Sequence, residues 1–133
     1  MVMIFDILVT YVAAVVAYDM WFYVVHRALH HPWFYKKYHA QHHRHVRPTW
    51  RDAFDSSFVE NALSGLGIFV PLLLPKWSGV GLTTAWIYCF FRGLLRHDEQ
   101  WAWLVGSHHL HHHLNPSVNF SSEYIDKLLG TAA

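Results

Sequence analysis

The sequence has few charged residues and a single cysteine, and both scarcities exclude classes of protein. Charged residues make up 14% of the 133 residues and hydrophobic residues 53%, the reverse of the balance in a disordered chain. Cys89 stands alone, which excludes an internal disulfide and a site made of thiolates. A net charge of +1 offers no basic excess for nucleic acid, and no Gly-x-Gly-x-x-Gly motif indicates a dinucleotide domain.

Histidine is the residue that the chain has in excess. There are 13 histidines, against 10 Lys and Arg and 9 Asp and Glu. A chain of this length predicts one domain, covering 1–133. We therefore expect a single hydrophobic domain whose chemistry depends on histidine.

Three apolar stretches alternate with polar ones. Residues 1–25 are apolar except for Asp6, Thr10 and Asp19, and they are long enough to cross about 30 Å of hydrocarbon. A signal peptide is the competing interpretation, but the segment lacks a basic start and a small-residue cleavage site. Residues 57–95 contain two more apolar stretches, joined by a turn at 75–79, each uncharged over about 15 residues or roughly 22 Å of helix. These lengths predict a helical hairpin that is either a short transmembrane hairpin or one that enters a single leaflet.

The pattern predicts an all-α fold, an integral membrane bundle of about three membrane helices with a histidine-rich helical cap. The polar segments 26–56 and 96–133 then lie on one side of the membrane. All histidines lie on that side, and every Lys and Arg lies there or at its edge except Lys76. The positive-inside rule makes this side cytoplasmic, in the endoplasmic reticulum of a eukaryote or the inner membrane of a bacterium.

Eight of nine candidate histidines follow helical spacing. One pair is four residues apart, two triplets are spaced i, i+3, i+4, and one residue ends the third apolar stretch. On a helix these spacings place imidazoles on one face, where neutral imidazole binds iron, zinc, copper or nickel. Nine donors exceed the about four to six that one ion uses, so two metals are predicted. The nine are His26, His30, His39, His42, His43, His97, His109, His112 and His113.

The histidines also have explanations other than two metal sites. A lone histidine is more often a surface residue than a ligand, and a histidine-rich tract can bind metal loosely. These clusters, however, lie in non-repetitive, aromatic-rich sequence and share one spacing rule. The run at 108–113 is interrupted and internal, unlike a purification tag. For the remaining histidines a surface role is as well supported as one beside the metals: His31, His45, His108 and His111.

The chain resembles the fatty acid hydroxylase/sterol desaturase superfamily, the membrane di-iron oxygenases, over roughly residues 19–131. The matching motifs are HRALH at 26–30, HAQHH at 39–43, HHLHHH at 108–113, NF at 119–120 and DKLLGT at 126–131. Members usually have about four membrane helices, more than this chain offers. It is therefore a minimal member, a fragment, or a chain that needs an oligomer or partner to complete its membrane part.

The resemblance implies a function and a set of ligands. The nine histidines would hold two iron ions, and zinc satisfies the same imidazoles. The chain would hydroxylate or desaturate a lipid (a fatty acyl chain, sterol, alkane or carotenoid) with O₂, hydroxylation being favoured. No haem, flavin or cysteine-cluster motif is present, so electrons come from a separate cytochrome or ferredoxin.

Acidic and amide side chains are candidates for supporting the ligands. Asp19 lies two turns before His26 on the same helix face, where its carboxylate can accept the second N–H of a ligand. Asn119 and Asp126 are expected to tie the last histidine cluster to the fold. Asp98 and Glu99 follow His97 directly, as extra ligands or as solvated acids.

Two rival functions remain at this point. One is a histidine-rich membrane protein that binds or transports metal, and the other is a non-catalytic remnant of the fold. A transporter should carry ionisable groups at the bilayer midplane, whereas the apolar stretches offer only Glu60, Asn61 and a few hydroxyl groups.

Overall fold

The structure, a computed structural model, describes residues 3–73 and 76–133, and this part of the chain is helical with no strand. The all-α prediction is confirmed. The α-helices are α1 (Ile4–Leu29), α2 (Pro32–Phe34), α3 (Phe58–Leu66), α4 (Gly79–Leu95), α5 (Ala102–Val105), α6 (His108–Leu114) and α7 (Glu123–Leu128). Between them lie a π-helix (Tyr35–His39) and four 3₁₀ helices (His42–Arg44, Trp50–Phe54, Gly67–Leu73 and Glu99–Trp101).

Helix α1 is the helix of the described residues that is long and apolar enough to cross a membrane. Apolar side chains such as Ile4, Phe5, Leu8 and Val12 are exposed along it. The predicted helix covered 1–25, of which Met1 and Val2 lie outside the described residues. The observed helix continues to Leu29 because no helix-breaking residue occurs before Pro32, which restricts the backbone of the residue preceding it. It therefore carries the first histidine motif rigidly with it.

The predicted hairpin is formed by two shorter apolar helices, Phe58–Leu73 and Gly79–Leu95. The first changes from α3 to 3₁₀ geometry at Gly67, and Pro71 lies within the 3₁₀ part. Part of the predicted turn, Pro75, lies outside the described residues, while Ser78 caps the start of α4. Of the about three predicted membrane helices, one reaches spanning length and two do not, in keeping with their short uncharged stretches.

Both arms of the hairpin pack against α1. Small residues permit close approach to α4, where Ala14 of α1 meets Leu82 and Ala85. A side chain at Gly81 would place its Cβ 2.5 Å from the Ile7 carbonyl oxygen. On the other arm the Trp21 indole N–H donates to the Leu63 carbonyl oxygen at 2.8 Å. The C-terminal end of α1 is thus held between the hairpin and the polar segments.

Candidate metal centre

The structure brings the nine predicted histidines together in two groups around the C-terminal end of α1. Within each group, one ring nitrogen of every member lies within 4.8 Å of the others. We call these the five-histidine cluster (His26, His30, His39, His43 and His112) and the four-histidine cluster (His42, His97, His109 and His113). The other four histidines of the chain belong to neither.

The two clusters divide each triplet. Residues four apart stay together: the pairs 26/30 and 39/43 belong to the five-histidine cluster, and 109/113 to the four-histidine cluster. The i+3 member of each triplet, His42 or His112, joins the opposite cluster. The three rings of each triplet still lie side by side, with centroids 4.7–5.8 Å apart in the first and 5.0–6.2 Å apart in the second. One face therefore supplies both clusters, because positions i+3 and i+4 point about 100° apart around a helix. The first triplet also lies on π and 3₁₀ turns instead of an α-helix.

Within the clusters, Nε2 atoms face one another. In the five-histidine cluster, His26 Nε2 lies 3.1 Å from His39 Nε2, and His30 Nε2 lies 2.9 Å from His112 Nε2. In the four-histidine cluster, His97 Nε2 lies 3.1 Å from His42 Nε2 and 3.0 Å from His109 Nε2.

Backbone carbonyls decide which nitrogen faces inward. The Nδ1 atom of His26 donates to the Phe120 carbonyl oxygen at 2.5 Å, and that of His112 donates to the Val118 carbonyl oxygen at 2.6 Å. His97 Nδ1 donates to the Gly93 carbonyl oxygen at 2.8 Å. Because a carbonyl oxygen only accepts, each of these Nδ1 atoms carries the proton and each Nε2 offers its lone pair to the cluster.

This arrangement fits a bound metal. Unprotonated nitrogens that point at one another from about 3 Å repel, unless a cation shares their lone pairs. Four of the nine histidines are at most 2% exposed, namely His26, His39, His109 and His112, so water does not satisfy them. The donor set is nitrogen alone, which suits iron or zinc better than magnesium or calcium.

Burial also keeps these imidazoles neutral. Desolvation, with a smaller contribution from neighbouring imidazoles, lowers the pKa of His30 to about 3. Desolvation lowers the pKa of His43 to about 4, and desolvation together with His43 lowers the pKa of His113 to about 3. Neutral imidazole is the form that binds metal, so the fold holds its donors in the binding state.

Asp126 and Asn119 hold the loop that supplies two of the carbonyls. Asp126 accepts from the backbone N–H groups of Phe120 at 2.9 Å and Ser121 at 2.7 Å. Asn119 adopts a positive φ of 61°, and its side chain bonds the backbone of Ala133. Neither residue touches a cluster histidine in these bonds; both act through the loop.

Asp19 has a different role from the one expected. Its carboxylate pairs with Arg92 and accepts from the Tyr124 hydroxyl at 2.6 Å. The expectation that it accepts a hydrogen bond from the N–H of a ligand is wrong, because the position beside His26 Nδ1 is taken by the Phe120 carbonyl. Asp19 instead joins α1 to α4 and α7, seven residues before His26.

The acids after His97 are not in the clusters either. Asp98 accepts from the backbone N–H of Gln100 at 3.0 Å and of Trp50 at 3.3 Å, so it caps a 3₁₀ helix. Glu99 is exposed. Neither acid belongs to a group of potential metal ligands among the described residues.

Sequence reasoning did not identify Glu60 or the three carbonyls as parts of the site. Glu60 Oε1 lies 2.9 Å from His39 Nδ1. An acid within an apolar stretch is a functional candidate, so Glu60 carried a signal. The carbonyls of Gly93, Val118 and Phe120 carried no signal in the sequence, since every residue has a backbone carbonyl.

A cavity of about 160 Å³ borders both clusters, with His26, His42 and His97 in its lining. The rest of the lining is largely apolar and comes from both hairpin arms and from α1, including Phe22, Trp86 and Phe90. Polar groups of Glu60, Asn61, Ser64 and Arg96 also line it. It is a concave, mostly apolar site with a few polar groups, as is typical of small-molecule sites.

Comparison with known proteins gives one match. The family model described as fatty acid hydroxylase matches residues 11–131, which include all nine cluster histidines. No curated protein and no solved structure matches the chain.

Proposed function

Because the chain belongs to the fatty acid hydroxylase family, we propose that it is a membrane-bound di-iron oxygenase that hydroxylates or desaturates a lipid. The observation that carries this proposal is the convergence of nine histidines into two clusters, within which Nε2 atoms lie about 3 Å apart. Bound iron would supply the reduction of O₂ and the attack on a C–H bond. The five-histidine and four-histidine clusters would each hold one ion, and zinc would fit the same donors.

The chain's own residues would set the conditions for that chemistry. The carbonyls of Phe120, Val118 and Gly93 hold three ligands in one tautomer, which keeps the donors oriented before the metal arrives. Burial limits the access of water to the clusters and keeps the imidazoles neutral. Electrons would come from a separate cytochrome or ferredoxin, since the sequence has no motif for a second redox group.

The site is proposed to lie at the cytoplasmic surface of a membrane. Helix α1 is long and apolar enough to span it, and the cluster members His26 and His30 lie at its C-terminal end. Exposed apolar side chains continue on the hairpin, at Phe58, Phe69 and Phe91, as expected for surfaces that face lipid. The excess of Lys and Arg on the histidine side sets the orientation.

The cavity supports a hydrocarbon substrate. Its lining includes hairpin residues such as Ile68 and Trp86 and the cluster residues His42 and His97, so an alkyl chain held there would lie between largely apolar walls and beside the metals. Fatty acyl chains, sterols, alkanes and carotenoids all offer the hydrocarbon that such a lining favours. A second chain or another copy would complete the membrane part beyond the three apolar helices.

The proposal is tested by loading the full chain with iron under anaerobic conditions, then adding O₂, a generic reductase system and membrane lipids. We expect two iron ions per chain and an O₂-dependent hydroxylated or desaturated product. His112→Ala should lose iron and product. His111→Ala, at a neighbouring exposed position outside both clusters, should keep both.

Two results would favour the rival functions. Reversible zinc exchange without turnover would indicate a metal-binding or transport protein, although the cluster histidines lie together at one end of α1 and not along a path across it. Two firmly held irons with no oxidised lipid from any of the four lipid classes would indicate a non-catalytic remnant.

A further inference from the structure

Glu60 is an acidic side chain buried beside the five-histidine cluster. It lies in α3, in the first turn after Ser57, and is 7% exposed. Its Oε1 atom lies 2.9 Å from Nδ1 of His39, whose side chain is fully buried. The distance is that of a hydrogen bond, although the oxygen lies off the ideal N–H direction.

The position of Glu60 matches that of the carbonyls beside two other ligands of the five-histidine cluster. His26 and His112, in the same cluster, have Nδ1 held by backbone oxygens. His39 Nδ1 has no such carbonyl partner, and Glu60 supplies the oxygen in its place. His39 Nε2 consequently faces His26 Nε2 at 3.1 Å.

We infer that Glu60 is a positioning residue that holds His39 with Nδ1 protonated and Nε2 turned to the metal of the five-histidine cluster. The inference rests on the proposed metal centre. A carboxylate beside a metal-binding imidazole fixes its tautomer and makes its donor nitrogen more basic. Glu60 does this from the hairpin, so it also couples α3 to the cluster.

A purely structural role does not account for the carboxylate. Its backbone N–H, not its side chain, bonds Ser57 at the start of α3. No Lys or Arg pairs with Glu60 in the part of the chain that the structure describes. The second oxygen, Oε2, is buried without a hydrogen-bonding partner. Burying such a group is costly, and His39 is the neighbour that compensates for it.

The test compares iron extraction from the iron-loaded full chain and its variants. A chelator is added in increasing concentration, and the iron that remains bound is measured. The same titration of cobalt-substituted protein, followed by its absorption, distinguishes the ions of the two clusters. Glu60→Ala should loosen one ion of the two by about tenfold to a hundredfold. Glu60→Gln, which keeps an acceptor oxygen without the charge, should fall between Glu60→Ala and the unmodified chain.

Two further variants serve as controls. Asp55→Asn alters another carboxylate beside a histidine, since Asp55 accepts from His45 at 2.6 Å, but His45 is in neither cluster. The variant keeps an oxygen that can accept from Gln41 Nε2, as Asp55 Oδ1 does at 2.6 Å. It should leave both ions unchanged. His42→Ala should loosen the other ion, the one in the four-histidine cluster, and so identify which extraction phase belongs to which site.

The outcomes separate this inference from the proposed function. If the unmodified chain does not hold two ions, the proposed function fails. If it does, unchanged extraction in Glu60→Ala overturns the inference, and so does equal loosening of both ions, which would indicate a general effect on the fold. Glu60→Gln has nearly the same shape as the original, so an iron loss between those of Glu60→Ala and the unmodified chain, confined to one ion, supports a role for the charge itself.

Discussion

At the scale of single residues, hydrogen bonds to the outer nitrogens organise the site. A histidine can bind metal through either ring nitrogen, and the bond made by one nitrogen selects the other. Here the Phe120 and Val118 carbonyls make that selection for His26 and His112. The loop that bears these carbonyls is in turn held by the fully buried Asp126.

Asp126→Asn should weaken this support. The amide offers one acceptor where the carboxylate accepts from the backbone N–H groups of Phe120 and Ser121 through two oxygens. We expect a loss of about 1–3 kcal/mol in the free energy of unfolding, the cost of a buried donor left unpaired. Thermal or denaturant unfolding in detergent measures it, together with iron content, which should fall first in the five-histidine cluster.

The matched control is Glu123→Gln on the same helix. Glu123 makes an exposed ion pair with Lys127, and such pairs contribute little. Equal stability of the Asp126 and Glu123 variants would contradict the role assigned to the loop.

At the scale of helices, close packing of α4 on α1 places His97 beside the histidines at the end of α1. The contact depends on small residues, because Gly81 lies against the α1 backbone. Thr10 Oγ1 also accepts from the Ser78 N–H at 2.9 Å, which anchors the start of α4.

Gly81→Ala should therefore destabilise the protein. Its Cβ would lie 2.5 Å from the Ile7 carbonyl oxygen, so the two helices would have to separate, at a cost of about 1–3 kcal/mol. Gly79→Ala, two residues away, adds a Cβ that meets nothing within 4 Å and should be neutral or slightly stabilising. Unfolding of the two variants in one detergent gives the comparison, and similar stabilities would show that the helices are not in close contact.

At the scale of the whole molecule, burying so many neutral imidazoles makes stability depend on pH. In the fold, burial lowers the pKa of His43 to about 4 and of His30 to about 3, from an ordinary 6.5. The unfolded chain therefore takes up protons first as the pH falls. Stability of the metal-free protein should be constant above about pH 6.5 and decrease from there toward pH 4.

Melting temperature of the metal-free chain between pH 8 and pH 4 checks this direction, and iron content of the loaded chain is measured alongside. Protons compete with metal for imidazole, so iron should be lost as the pH falls below about 5. A melting temperature that stays level down to pH 4, or iron retained well below pH 5, would count against buried histidine ligands.

The proposed membrane orientation makes a separate prediction. Lys36 and Lys76 are both exposed and are expected on opposite sides of the bilayer. Single cysteines at these positions, in a chain with the buried Cys89 replaced by serine, should react with an impermeant maleimide from opposite sides of sealed vesicles. Labelling of both from the same side would contradict the predicted topology.

Much of this protein could be inferred from local patterns. Hydrophobic segment lengths indicated the helical fold and the short hairpin, and the histidine spacing identified the nine residues that the fold brings together. Such patterns are local because helix periodicity and hydrophobicity are properties of adjacent residues. The role of Asp19 was wrong for the same reason: its partners Arg92 and Tyr124 are distant in sequence.

The sequence by itself determined that histidines would cluster beside apolar helices, since their number and spacing follow from residue identity alone. Only the tertiary structure decided how they divide into five and four. That division depends on the angle at which each helix presents consecutive side chains, and on which distant carbonyl or carboxylate, such as Phe120 or Glu60, holds each outer nitrogen. Contacts between residues far apart in the chain leave no local signal, because they arise only when the helices pack.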